Sequence, residues 1–370
     1  MGRKPLKREV FLPKPDLILV DMNAIANASL YQPNLANLTW EEPRSGEKQL
    51  VGSIIGSINA IHNQIKVLKT AEGVEPKSFP NAMVVGLWDG RTQFRYDLVP
   101  QYKSGRRADP NSSDPKVREK AYKQAQLKLQ VPVIQKLLNS LGVAQVRHPF
   151  LEADDLFYWA CSRAPSNMNV RMMTKDTDML QNLRPNIHWH QSSPEKTITW
   201  DQMTSEGAEI DKEIFFDPQV YIRCKALAGD SSDTIPGIDG IGLKTAQAFY
   251  KLFGGFDALW AEVAAGRYIP KGVKAGAICA PVARDIYERN LLMMDSSTVS
   301  FAGMQEDLSL TRYEPNKEEF VGECSTLGLN RLSGLFGTFA ANHMASREKW
   351  EQVESIFQFP DEDDFDEEDY

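Results

Sequence analysis

Three short apolar runs, each ending on an aspartate, organise the hydrophobic pattern of this chain: residues 16–21 (DLILVD), 82–89 (AMVVGLWD) and 170–176 (VRMMTKD). Uninterrupted apolar runs of this length read as buried strands. Helix-like stretches separate them, and alternating strands and helices predict an α/β fold around a mostly parallel central sheet. In such sheets the ligand crevice opens at the carboxyl ends of the strands. Asp21, Asp89 and Asp176 should therefore meet along one edge. Further strands are expected at 187–190 and 197–200, joined by a polar turn.

Polar segments punctuate this core. From Tyr102 the chain passes through SGRR and DPNSSDP before a helix that should begin near Lys116. Pro110 and Pro115 flank polar residues and mark an exposed excursion rather than a core element. Residues 218–255 divide into a helix ending near Ala228, the loop DSSDTIPGIDGIG, and a second helix starting near Leu243. A last helix is expected over 346–357. The chain then divides into a basic leader (1–15), an α/β core (16–217) with an excursion at about 102–136, a helical region (218–340), a C-terminal helix (341–360) and an acidic tail (361–370). No internal repeat is evident.

Charge alters the picture once it is located. The net charge of −8 arises from eight acids in the last ten residues, and the remainder balances 42 basic against 42 acidic side chains. Within it, residues 95–136 carry ten Lys or Arg and four Asp or Glu. A basic face on a neutral body can bind phosphates, although the same stretch is equally readable as a solvated helix. Cys161, Cys224, Cys279 and Cys324 are scattered without a CxxC pair, which suggests neither a zinc site nor a disulfide framework. No apolar run reaches the roughly 18 to 20 residues of a membrane span, and the basic start lacks the apolar core of a secretion signal. A cytoplasmic protein with no membrane partner is expected.

The candidate chemistry lies in the acids. Glu152, Asp154 and Asp155 (LEADDL) join Asp21 and Asp89, whereas Asp176 and Asp178 (KDTD) join Asp230 and Asp233 of the helical loop. Singly, each reads as a helix cap or turn residue. Capping does not explain nine carboxylates placed to converge without an equal number of Lys or Arg beside them. Hard divalent ions with oxygen ligands would relieve their repulsion. Two such ions about 4 Å apart can activate a water and stabilise the leaving oxygen of a phosphodiester. A structural calcium site is the competing reading, and no EF-hand loop supports it.

Six segments in order carry a family resemblance: ILVD at 18–21, WDG at 88–90, YKSGRR at 102–107, EADD at 152–155, KDTD at 175–178 and GDSSDTIPGIDGIGLKTA at 229–246. Over residues 16–335 the chain resembles the 5′ nucleases, the superfamily of flap endonucleases and the DNA polymerase I 5′-3′ exonuclease domain, and within it the bacterial and bacteriophage branch. The resemblance implies a PIN-like α/β core, a helical arch and a helix-three-turn-helix unit. It implies two Mg²⁺ ions, replaceable by Mn²⁺, with Asp89, Glu152, Asp154 and Asp155 at the first, Asp21 orienting bound waters, and Asp176, Asp178, Asp230 and Asp233 at the second. Tyr102, Lys103 and Arg106 match the foot of the arch, with Lys103 the principal cation at the scissile phosphate and Arg106 beside it. Arg107, Lys116, Lys120 and Lys123 are expected along the path of a single strand, with surface solvation the competing reading for each. Gly237, Gly240, Gly242 and Lys244 are expected at duplex phosphates, and the loop carbonyls of Ile235, Ile238 and Ile241 at a K⁺ ion.

The implied activity is 5′-3′ exonuclease or flap endonuclease cleavage of DNA with a 5′ end, flap or nick, or of an RNA–DNA hybrid, by a monomer. The alternatives are a PIN-like ribonuclease and a non-catalytic replication scaffold. Met22, Asn27 and Ala28 depart from the family pattern that grips a 5′ terminus, which leaves Tyr31 as either a stacking surface or a core residue. Residues 39–47 read as a polar insertion. His148, His188, His190 and His343 lack partners for metal and read as core or surface histidines. The tail DEDDFDEEDY reads as disordered, with docking to a replication protein as a minor alternative.

Overall fold

The computed structural model describes residues 13–43, 45–67, 78–192, 194–301 and 304–358. The acidic tail and most of the basic leader lie outside them. In chain order the first elements are β1 (Leu17–Asp21), α1 (Met22–Ser29), β2 (Thr39–Glu41), β3 (Lys48–Leu50), α2 (Gly52–Ile65), β4 (Met83–Trp88) and α3 (Gln93–Leu98). The long α4 (Pro115–Ser140), β5 (Ala144–Arg147), α5 (Ala153–Arg163), β6 (Val170–Met173), β7 (Ile187–Ser192), β8 (Glu195–Ile198) and α6 (Trp200–Ser205) complete the first half.

The expected sheet forms. Its order is β13-β5-β4-β1-β6-β7-β8, where β13 is Ser309–Thr311; the five inner strands are parallel, and β13 and β8 pair antiparallel at the two edges. Each residue of β1 is buried, and successive side chains feed opposite layers as the strand period of two requires. Leu17 and Leu19 pack with α5, whereas Ile18 and Val20 pack toward α1, α2 and α4. Met22 is buried against β4, where a Cβ on Gly86 would stand 2.9 Å from the Met22 Cγ. The expected strand at 197–200 is shifted, because Thr199 caps α6 and Trp200 opens it.

After β9 (Ala208–Ile210) and β10 (Glu213–Phe215) comes the helical unit: α7 (Pro218–Ala228), the small hairpin β11 (Gly229–Asp230) and β12 (Ile235–Pro236), and α8 (Leu243–Phe253). Next are α9 (Phe256–Ala264), α10 (Val273–Cys279) and α11 (Pro281–Met294), then α12 (Lys317–Thr326), α13 (Asn330–Ser333), α14 (Phe336–Ala345) and α15 (Trp350–Phe357).

Here the sequence-based division needs correction. The chain leaves the helical region well before residue 340, since β13 extends the central sheet and Phe320, Cys324, Leu329, Leu332 and Phe339 join the core cluster under α2 and α4. The helix α14 also runs across the expected boundary at 340. A three-residue edge strand carries no periodic signal, so sequence pattern alone could not place this return. The 39–47 segment supplies β2, which pairs antiparallel with β3; the Leu50 N–H of β3 donates to Gln126 on α4 at 2.8 Å. Among the described residues no helix is long and apolar enough to cross a membrane.

Candidate active site

Strand ends and helix starts place the acids. Asp21 closes β1 and caps α1, accepting from the Ala24 N–H at 2.8 Å and from the Thr174 hydroxyl at 3.1 Å. Asp89 follows β4 and accepts from the Ala153 N–H at 2.9 Å, which brings it beside the start of α5. Gly90 makes that approach possible, because a Cβ there would stand 2.0 Å from the His148 carbonyl oxygen. Asp176 follows β6 and accepts from the Asp178 N–H. Asp230 accepts from the Ser232 N–H and hydroxyl, both at 2.7 Å, which closes the β11–β12 turn.

These segments converge. A cavity of about 20 Å³ is lined jointly by Glu152, Asp154, Asp178, Asp230 and Asp233, from the α5 start, the β6 loop and the helical unit. Basic side chains stand between the acids: Lys103 Nζ donates to Glu152 at 2.6 Å, Lys225 Nζ to Asp178 at 2.5 Å and to Asp230 at 2.7 Å, and Arg106 pairs with Asp233. Among the described residues no three acids lie ready to grip one ion with these cations in place.

The charge is nonetheless unbalanced, since nine carboxylates face the four cations Arg95, Lys103, Arg106 and Lys225. Burial, reinforced by the negative charge of Asp89, pushes Asp21 up to about 7. Burial likewise raises Asp89 and Asp154, the latter against Asp176, and lifts Asp178 to about 6. At Asp230 burial is overcome by Lys225 and Ser232, which hold the carboxyl down at about 2. Carboxylates forced together with too few cations have the donor set of a hard divalent metal centre.

Asp155 departs from its expected place at a metal. It is fully buried, its oxygens receive Arg95 guanidinium hydrogens at 2.7 and 2.9 Å, and it also accepts from the Glu152 N–H at 2.9 Å. That is a buried ion pair and a helix cap; the cap agrees with the capping reading of this segment, and the ion pair is visible only in the fold. Arg95 and Lys225 were not singled out from sequence. Arg95 reads in the sequence as one more charge in a basic stretch, and Lys225 as one of two cations, with Arg223, interleaved among the buried Tyr221, Ile222, Cys224, Ala226 and Leu227; only the fold distinguishes it from the exposed Arg223.

Tyr102 is buried with its hydroxyl 2.8 Å from Glu152. Arg107, Lys116 and Lys120 are exposed on the excursion and on the first turns of α4. Lys123 stands with its Nζ 5.0 Å above the ring of Tyr31, which is 48 % exposed and so does not belong to the core. At the helical unit, a Cβ on Gly237 would meet the Ala228 carbonyl carbon at 2.2 Å, Gly240 adopts φ +72°, and Gly242 and Lys244 lie exposed at the start of α8. The side chains of Ile235, Ile238 and Ile241 point inward, and the Ile238 carbonyl already accepts from the Ile241 N–H at 3.0 Å. His148, His188, His190 and His343 are all buried, as core residues.

Comparison with known proteins agrees with this geometry. Residues 16–211 match the model of the 5′-3′ exonuclease N-terminal resolvase-like domain, and residues 216–288 that of the 5′-3′ exonuclease C-terminal SAM fold. The 5′-3′ exonuclease of Buchnera aphidicola is 25% identical over 271 residues, covering 72% of this chain and 81% of that protein. The thermostable DNA polymerase I of Thermus aquaticus is 26% identical over 357 residues, 94% of this chain but 36% of the polymerase. The zinc-bound 5′-exonuclease of bacteriophage T5 superposes with a TM-score of 0.56 at 15% identity, over 92% of this chain and 99% of that one. With one family model spanning more than half of its length, and its acids gathered where that fold places a crevice, the chain belongs to the 5′-3′ exonuclease family.

Proposed function

We propose that this nuclease hydrolyses DNA phosphodiester bonds at or near 5′ ends, as a 5′-3′ exonuclease and flap endonuclease that depends on divalent metal. The observation that carries the reading is the imbalance of nine converging carboxylates against four cations, two of which arrive from the arch foot. The solved T5 flap endonuclease, whose likeness to this chain carries the fold alone, was captured with DNA and metal ions. Mg²⁺ suits an all-oxygen donor set that leaves room for waters. Asp21, Asp89, Glu152 and Asp154 would hold one ion and Asp176, Asp178, Asp230 and Asp233 a second. Bound there, such ions would lower the pKa of a water and stabilise the leaving oxygen. Asp155 would act through Arg95 and the start of α5 rather than on the metal.

Lys103 and Arg106 sit on carboxylates that metal would neutralise, which would free both cations for phosphate oxygens. The exposed Gly240, Gly242 and Lys244 at the α8 N-terminus would take duplex phosphates, with K⁺ on the carbonyls of the same loop. Arg107, Lys116, Lys120 and Lys123 would line the single-strand path. An RNA–DNA hybrid would offer the same phosphates to this surface, and the proposed site draws on residues of a single chain.

A 5′-labelled flap incubated with and without Mg²⁺ tests the assignment. Metal-dependent cleavage by the native chain, abolished in Asp154→Asn, is expected; an inert native protein would sink it. Loss of cleavage when the flap end is closed into a circle would show that a free 5′ end is needed.

A further inference from the structure

Among the described residues four that are not glycine have positive φ: Lys103, Asp211, Lys212 and Thr234. Asp211 and Lys212 form the two-residue turn between β9 and β10, where left-handed backbone is ordinary. Lys103 at φ 54° and Thr234 at φ 59° need another explanation, since a β-branched threonine is poorly suited to this region. The two lie in contacting segments. Lys103 N–H donates to the Asp233 carbonyl at 2.7 Å, Gly105 N–H donates to the Thr234 hydroxyl at 3.3 Å, and Arg106 pairs with the Asp233 carboxylate. Beneath them Val99, Tyr102, Ile235, Met293 and Met294 form an apolar cluster separate from both main cores.

We propose that Thr234 is a positioning residue for Lys103: the β11–β12 loop fixes the arch foot so that the Lys103 ammonium faces the carboxylates. The proposal rests on the reading of Lys103 as the cation at the scissile phosphate. The strained backbone at each residue persists because the contact with the other over-determines it. Lys103 Nζ then reaches Glu152 from a main chain held at both Lys103 N and Gly105 N. The glycine-rich segment proposed to take duplex phosphates begins at Gly237, three residues after Thr234, so the same loop would both meet duplex and set the cation.

Two substitutions separate the contributions. Thr234→Val keeps the shape and removes the hydroxyl, whereas Thr234→Gly removes the hydroxyl and relieves the strain. In both, amide hydrogen exchange over residues 103–106 should quicken. Turnover of a 5′-labelled flap should fall about three- to tenfold, the equivalent of one ordinary hydrogen bond, with KM unchanged within about twofold. Thr234→Ser should restore both readouts. In a Lys103→Ala background, Thr234→Val should cause no further fall in turnover. Unchanged exchange in both variants, or an equal fall in turnover without Lys103, would overturn the proposal. An inert native protein would instead remove the functional reading, and amide exchange would still decide whether Thr234 holds this segment.

Discussion

Substituting Arg95 by Met tests whether Asp155 belongs to the scaffold or to the metal. Both side chains of the pair are at most 4% exposed, and the guanidinium makes two bonds to Asp155, a longer one to Glu152 at 3.4 Å, and one from Nε to the Met293 carbonyl at 3.0 Å. Removing one partner of a buried ion pair costs about 3–5 kcal/mol, because the other is left charged or must take up a proton. The orphaned Met293 carbonyl falls within that range. For a cooperative unit of this size, roughly 4 kcal/mol corresponds to a fall in Tm of about 5 °C. Replacing the pair by apolar side chains in Arg95→Met/Asp155→Leu should recover more than half of the loss, less about 1 kcal/mol for the lost helix cap. Thermal unfolding in chelator reads stability, and calorimetric titration of Mg²⁺ reads the site. Asp155→Asn should lower Tm with less than about a tenfold change in metal affinity. Asp154→Asn should do the opposite, because burial and like charge already disfavour that carboxylate. If Asp155→Asn keeps its Tm and loses metal binding, the assignment of Asp155 to the scaffold is wrong.

Two pH effects of opposite sign should appear in the same window. Asp21 is raised from 3.8 to about 7, so its contribution to stability is complete below pH 3.8 and is lost as pH rises through about 7. The ceiling on this effect is roughly 4 kcal/mol. Metal-free protein should therefore lose stability from this group between those values, Mg²⁺ should restore it at high pH, and Asp21→Asn should remove the slope; an unchanged slope in that variant refutes the account. Burial, aided by Arg171, holds His188 and His190 down at about 4 from 6.5. Their contribution is complete above pH 6.5 and is lost as pH falls through about 4, up to roughly 3 kcal/mol each. His188→Phe should flatten the acid side of the stability profile, and an equally steep acid loss in that variant would count against burial as the cause.

The α/β class, four of the five inner strands of the sheet (β1, β4, β6 and β7, but not β5) and the helical unit were legible along the chain. Apolar runs ending on Asp21 and Asp89, with Asp176 just beyond β6, and the Gly-rich loop between α7 and α8, are local signals, and local sterics make them strands, turns and helix starts. The meeting of the acids at one edge also followed, because parallel strands put all their carboxyl ends on the same side. What tertiary structure decided was which charges face which. Asp154 and Asp155 are adjacent on one helix turn, yet one lines the cavity and the other is sealed against Arg95, from a helix 60 residues away in sequence. Lys225, the seat of Lys103 on the β11–β12 loop, and the return of 309–345 to the core are likewise long-range pairings. Periodicity reports a residue's exposure to its own element's environment, whereas a buried ion pair depends on distant segments that only the folded chain brings together.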